Sequence, residues 1–272
     1  MTAVFVLGMH RSGTSLVSGL LKTLGVDFGA DSELIPPNQF NMKGFFEHIG
    51  LNGINVEILT KFGGDWYAPP ALLPGWEESE RLADIRKRAV ERIHSNFAKS
   101  SLWGFKDPRS CLTFPFWKKL VKEPIKVVVV GRNPIDAARS LQAVQKILAS
   151  EASDLWFKHM VAAFRGSSDV PRHVIFYEDF LQDLHGELRR LGAFIERPVG
   201  GEVITRAMKF VDTQLRHYES SPQDVQGGVG VDPRSRKAYL TIRAFVDVAK
   251  QGKLEPQDER EIERILGEIQ RG

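Results

Sequence analysis

One cysteine stands in 272 residues. That excludes an internal disulfide and any metal site built from several thiolates, and it leaves Cys111 as a small buried hydrophobe. No apolar run approaches the roughly 18 residues a bilayer crossing needs. The run Ala3–Leu7 is too short for the core of a secretory signal, and no basic stretch precedes it. The reading is a cytoplasmic protein without stable membrane insertion. Charge of one sign is scarce as well: 37 Lys and Arg against 34 Asp and Glu leave a formal +3. So small an excess, spread along the chain, helps draw in an anionic small molecule. It gives no face for nucleic acid, and zinc-finger spacing, aromatic RNA-binding signatures and arginine-rich arms are missing. No internal repeat is visible.

What is present is an alternation of short apolar runs with longer amphipathic segments, which predicts an α/β layered fold in one domain. Strands are expected at Ala3–Leu7, Leu102–Lys106, Ile125–Val130 and within "HVIFYEDF". The unbroken valines of "IKVVVV" predict burial on both faces, as in a parallel sheet. Helices are expected over 14–24, 52–62, 78–98, 134–148, 154–165, 180–191, 202–212 and 257–270. Residues 30–99 read as a cap on the acceptor side, with "GGDWYAPPALLPGW" as a loop. Residues 220–236, polar and broken by Gly and Pro, read as a surface linker or a flexible flap.

Two loops carry chemistry. "GMHRSGTS", residues 8–15, joins a strand to a helix. Such a turn points backbone N–H groups inward, and the helix start adds unpaired donors and a positive dipole end. Gly8 and Gly13 keep the spacing of G-x-x-x-x-G-K-S/T, but Thr14 stands where nucleoside-triphosphate loops carry lysine. Arg11 supplies a forked cation, and Ser12, Thr14 and Ser15 supply hydroxyls. The bland reading is a glycine turn whose arginine meets solvent. "VVVVGRNPIDAARSL", residues 127–141, repeats the logic: Asn133 is a cap, Pro134 opens the helix and Asp136 is placed to accept N–H bonds. Arg132 and Ser140 are close enough in sequence to grip one phosphate. Alternatively Arg132 is a flanking surface charge and Ser140 a filler.

Taken together, G-x-x-R-S-G-T-S and R-N-P-x-D-x-x-x-S resemble the two cofactor-binding signatures of sulfotransferases, which use 3'-phosphoadenosine 5'-phosphosulfate (PAPS) and release adenosine 3',5'-bisphosphate. "HVIFYEDFLQDLHGELRRLGAFI", residues 173–195, is similar to a further family segment. The resemblance implies a three-layer α/β/α fold around a central parallel sheet, related to P-loop nucleotide kinases. It implies that Arg11, Ser12, Gly13, Thr14 and Ser15 cradle the 5'-phosphosulfate, and that Arg132 and Ser140 hold the 3'-phosphate. Arg11 in place of lysine matches carbohydrate and bacterial members more than cytosolic aryl or steroid ones. In "GFKDPR", Lys106 remains but Pro108 occupies the position of the cytosolic enzymes' histidine base. Arg234, Arg236 and Lys237 loosely match a C-terminal basic cofactor loop.

The expected chemistry is in-line, metal-independent sulfuryl transfer to a hydroxyl, or an amine, of a carbohydrate or small-metabolite acceptor. Arg11 and Lys106 stabilise developing charge. Glu47, in "GFFEH", is the expected base, with His48 as runner-up and local pairing as the non-catalytic alternative. Lys106 and Arg109 are candidates to face an anion, with Asp107 orienting one of them. His10, inside the first loop, is read as structural or as lying near the acceptor. Two other readings stay open. A Mg-dependent nucleotide or metabolite kinase would lean on Glu178 and Asp179, and a non-catalytic 3'-phosphonucleotide-binding protein would bind without turnover. Homodimerisation has no residue-level warrant in the sequence.

Overall fold

The computed structural model describes residues 1–211, 220–227 and 231–271. Strand β1 (Thr2–Leu7) leads into α1 (Thr14–Thr23), followed by α2 (Ile49–Lys61), α3 (Ala83–Phe97), β2 (Leu102–Lys106) and α4 (Ser110–Leu120). Then come β3 (Ile125–Gly131), α5 (Pro134–Gln145), α6 (Ala149–Gly166), β4 (Arg172–Phe176), α7 (Tyr177–Gln182) and α8 (Leu184–Phe194). The chain continues with α9 (Gly201–Phe210), α10 (Pro222–Gln226), α11 (Pro233–Lys250) and α12 (Pro256–Arg271).

All four strands are parallel, in the order β2-β1-β3-β4. Because side chains alternate across a strand, the sheet feeds two separate cores. Phe5, Leu7, Phe105, Val127 and Val129 pack on one face with residues of α2 to α6, α11 and α12. Val4, Val6, Val128, Val130 and Ile175 pack on the other with residues of α1, α8 and α9. This is the expected α/β/α sandwich. Since β1 is followed on one side by β2 and on the other by β3, the order reverses between β1 and β3. In open parallel sheets a crevice forms at the carboxyl ends of the strands at such a reversal. Both sequence loops lie there, one after β1 and one after β3.

Several boundaries differ from expectation. Helix α4 was not anticipated. Pro115 inside it cannot donate to the carbonyl four residues back, yet Cys111, Phe114, Phe116 and Trp117 are all fully buried, so packing holds the helix. Helix α5 stops early because Lys146 turns left-handed at φ 61°. The expected 180–191 helix is divided: Asp183 ends α7 and caps α8, accepting from Gly186 N at 2.8 Å. The expected linker over 220–236 instead contains α10 and the start of α11 at its described residues. Its Ser, Asp and Pro are helix-start signals: Ser221 and Asp224 form a reciprocal cap, and Asp232 caps α11 with Pro233 in the first turn. Residues 228–230 of that stretch lie outside the described residues, as does 212 at the end of the helix expected over 202–212. Among the described residues no helix is long and apolar enough to cross a membrane.

Candidate active site

The first loop leaves β1 at Gly8, where an added Cβ would lie 2.5 Å from the Val130 carbonyl oxygen on β3. Only glycine fits so close to the neighbouring strand. Gly8 N donates to the Cys111 thiol at 3.0 Å, tying the loop to the start of α4. Arg11 and Gly13 both take left-handed φ, 67° and 87°, curling the backbone around the helix start. Among the described residues no side chain caps α1, and no acid sits in its first turn, so its positive end faces the loop. Ser12 and Thr14 are buried, and the Ser12 hydroxyl has no hydrogen-bond partner among the described residues.

Residues 38–46 lie across this loop. The Phe40 carbonyl accepts from Arg11 Nη1 at 3.2 Å, and the Phe45 carbonyl accepts from Ser15 Oγ at 3.4 Å and from Lys106 Nζ at 3.2 Å. Asn41 Nδ2 donates to Ser15 Oγ at 3.0 Å and to the Gly44 carbonyl at 2.7 Å. Beside the loop, Ser15, Leu16, Tyr177, Leu181 and Phe210 line a small slot together with Lys43, which hydrogen-bonds the Phe210 carbonyl.

The second loop meets the first. Arg132 Nη1 donates to the Arg11 carbonyl at 3.0 Å, and its guanidinium lies 4.8 Å from the centre of the Tyr177 ring. Its Nε is buried and has no partner among the described residues. Ser140 does not pair with Arg132; its hydroxyl accepts from Arg11 Nε at 3.0 Å. Arg11 thus sits between the two signature residues. Asn133 caps α5 as expected, through Ile135 N at 3.0 Å. Asp136 instead accepts from Ser220 N, so the second loop also holds the start of the C-terminal segment.

Lys106 ends β2 and is 2 % exposed. Its Nζ lies 2.6 Å from Glu47 Oε1 and 3.3 Å from Ser15 Oγ. One ammonium therefore links the phosphate-loop helix to a carboxylate that arrives from the irregular segment before α2. Ile35 N fixes the Glu47 backbone through its carbonyl at 2.8 Å. Asp107 follows, buried and held by Asn52, Asn55, Arg109 N and Arg109 Nη1. Burial, with Glu47 nearby, raises the Asp107 carboxyl above its ordinary value.

The profile described as "Sulfotransferase family" matches residues 3–200, well over half of the chain. The chain belongs to the sulfotransferase family. It is 30% identical to cytosolic sulfotransferase 15 of Arabidopsis thaliana, across 47% of this chain and 43% of that protein. It is 25% identical to sulfotransferase 2B1 of Homo sapiens, across 69% of this chain and 63% of that protein. The matches thus span less than two thirds of these curated relatives. Among solved structures, the sulfotransferase STF9 of Mycobacterium avium is similar at 16% identity and a TM-score of 0.44, covering 80% of this chain and 69% of that one.

In this family member, not every residue singled out by sequence joins the cluster. His48 is buried as the cap of α2. Its Nδ1 accepts from Gly50 N at 3.2 Å, its Nε2 lies 3.4 Å from Glu33, and its ring lies beside Phe97. It is engaged away from the Lys106–Glu47 pair. Arg109 pairs with Asp107 at 3.2 Å. Arg234 pairs with Asp154 and Asp232. The acids that a kinase reading needs have structural partners: Glu178 accepts from Asn133 N at 2.7 Å, and Asp179 is paired with Arg243 and Lys250. His10 packs against Trp66 at 4.1 Å between ring centres. Burial, and then the positive charge of Arg109, hold its pKa well below the usual value. Sequence reasoning missed Asn41, Asn52, Asn55 and Phe210. Asn52 and Asn55 carried a usable signal, two amides at i and i+3 on one face of an expected helix.

Proposed function

We propose that this protein transfers a sulfuryl group from PAPS to a hydroxyl, or an amine, of a small-molecule or carbohydrate acceptor. The observation that carries the proposal is Lys106, which touches both the phosphate-loop hydroxyl of Ser15 and the carboxylate of Glu47. A sulfuryl transfer needs a cation at the reacting group and a base beside it.

The residues present fit the donor. Ser12 Oγ and Arg132 Nε are buried donors without partners among the described residues, which a phosphate or sulfate oxygen would satisfy. The Phe40 and Phe45 carbonyls already draw Arg11, Ser15 and Lys106 toward oxygen atoms lying over the loop. In the proposed roles Arg11 and residues 12–15 hold the 5'-phosphosulfate, with residues 38–46 yielding their place. Arg132 and Ser140, on either side of Arg11, take the 3'-phosphate. The slot of Leu16, Tyr177, Leu181 and Phe210 receives the base, a flat apolar group suited to aromatic walls.

When bound, the donor supplies a sulfur whose bond to the bridging oxygen breaks as the acceptor oxygen attacks from the opposite side. The electron pair of the broken bond leaves with the 5'-phosphate, where Arg11 and Lys106 meet the new charge. Glu47 takes the acceptor proton on the oxygen that Lys106 vacates as it turns to the transferring group. This scheme has no step that requires a metal.

Calorimetry without divalent metal tests the donor: adenosine 3',5'-bisphosphate, ATP and AMP titrated into the protein and into Arg132→Ala. Selective binding of the bisphosphate, weakened at least tenfold by the substitution, is expected on removing a charged hydrogen bond. ATP binding that needs Mg²⁺ would sink the proposal. Transfer from ³⁵S-labelled PAPS to a panel of sugars, phenols and amines then identifies the acceptor class.

A further inference from the structure

We propose that Asn52 is a positioning residue for Glu47, fixing which carboxylate oxygen is left to take the proton. The inference rests on reading Glu47 as the base. Asn52 stands in the first turn of α2, its backbone N donating to the His48 carbonyl at 2.8 Å. Its amide nitrogen donates twice, to Glu47 Oε2 at 2.9 Å and to Asp107 Oδ2 at 3.1 Å. One side-chain amide thus spans two carboxylates, using one N–H for each.

The far end of this bridge is rigid. Asp107 is fully buried. Its Oδ2 also accepts from Asn55 Nδ2 at 2.9 Å, and its Oδ1 accepts from Arg109 N at 2.9 Å. Asn55 is itself locked, its carbonyl accepting from Thr113 Oγ1 at 2.6 Å and Trp117 Nε1 at 2.7 Å. These partners come from β2's end and from α4, so Asn52 is oriented by the body of the fold. Glu47, by contrast, lies in an irregular segment, and among the described residues the donors to its carboxylate are Asn52 and Lys106.

The two donors divide the oxygens. Lys106 holds Oε1 and Asn52 holds Oε2. Once Lys106 turns to the transferring group, Oε1 is exposed toward the phosphate loop while Oε2 stays tied to Asn52. A charged hydrogen bond to the ionised carboxylate also favours the form a base needs. Asn52 therefore sets both the direction and the readiness of proton removal without touching the substrate.

The test uses the full chain and water as acceptor, following release of ³⁵S-sulfate from labelled PAPS across pH. Asn52→Ala is paired with Glu47→Gln, and calorimetric binding of adenosine 3',5'-bisphosphate reports that the loops are intact. Asn52 is only half-buried, and Asn52→Ser, which keeps one donor, serves as a second variant. The expected result for Asn52→Ala is unchanged bisphosphate binding, a rate about tenfold lower near neutrality, and an acid limb moved to higher pH. Asn52→Ser should fall between. If both variants keep the parent's acid limb while Glu47→Gln abolishes release, Asn52 has no such role and the base assignment stands. If Glu47→Gln releases sulfate with the parent's profile, or the parent shows no acid limb, the base assignment fails and this inference with it.

Discussion

Two buried aspartates stand just beyond the ends of two strands and are held in opposite ways. Asp107 follows β2. Burial raises its carboxyl and Glu47 raises it further, against Arg109 and the amide of Asn55. Asp179, in α7 just past β4, is also pushed up by burial, but hydrogen bonds from Arg243 and Lys250 carry it below its ordinary value. Arg243 grips both Asp179 oxygens, at 2.9 and 2.6 Å, and Lys250 adds a contact at 2.7 Å before reaching Glu187 at 2.7 Å. Two cations on α11 thus bind α7 and α8 into one block. Among the described residues Asp107 pairs with one cation, the half-buried Arg109, and otherwise accepts from neutral donors. The contrast separates two uses of buried charge. Where cations saturate a carboxylate, it joins elements; where amides hold it, it still repels a neighbouring carboxylate, here Glu47.

That contrast breaks most readily at Lys106. Lys106→Met should lower sulfuryl transfer by about 10²- to 10³-fold, the size seen when one transition-state donor is lost, while bisphosphate binding changes only a few-fold. The measurement is ³⁵S transfer beside calorimetry. An effect under about fivefold on transfer would place the reacting group elsewhere. Next in size, Asp179→Asn leaves Arg243 and Lys250 partly uncompensated. It should cost about 2–3 kcal/mol of stability at neutral pH, less than a fully buried pair because both cations reach solvent. Urea unfolding gives the value, and a loss below about 0.5 kcal/mol would reduce the cluster to surface decoration.

The smallest effect is the most discriminating. A carboxyl held below its unfolded value adds stability that is lost as pH falls through the folded value. One held above it subtracts stability as pH rises through the folded value. The deficit of Asp179→Asn against the parent should therefore shrink on going from about pH 7 to about pH 3. The deficit of Asp107→Asn, which loses acceptor capacity at any pH, should widen over the same range. Parallel slopes in the two urea series would show that the aspartates are held alike.

The sheet was legible because its signals were local and redundant. Four apolar runs, each closed by Gly, Asp or Tyr, needed no partner to be recognised. The two loops were legible for the same reason: Gly8, Gly13, Asn133 and Pro134 each answer a backbone requirement within a few residues. What could not be read were pairings across long separations. Nothing near Ser140 indicates that its hydroxyl would meet Arg11, 129 residues away, and nothing near His48 distinguishes a base from a helix cap. Helix α4 was hidden by Pro115, whose local cost is outweighed by the burial of Phe114, Phe116 and Trp117. Residues 220–236 misled because Ser, Asp and Pro open helices as readily as they make loops.

The thiol under the first loop turns the protein into its own reporter. Cys111 is fully buried, burial pushes its pKa up to about 12, and Gly8 N rests on its sulfur. A thiol reagent should therefore react only when the end of β1 parts from α4. Because there is one cysteine in the chain, every modified molecule records one such opening. Any ligand that binds the closed loop slows that clock by the factor one plus its concentration over its Kd. Loop occupancy can thus be counted from the reaction rate of a single sulfur, with no acceptor in the tube and no label on the donor.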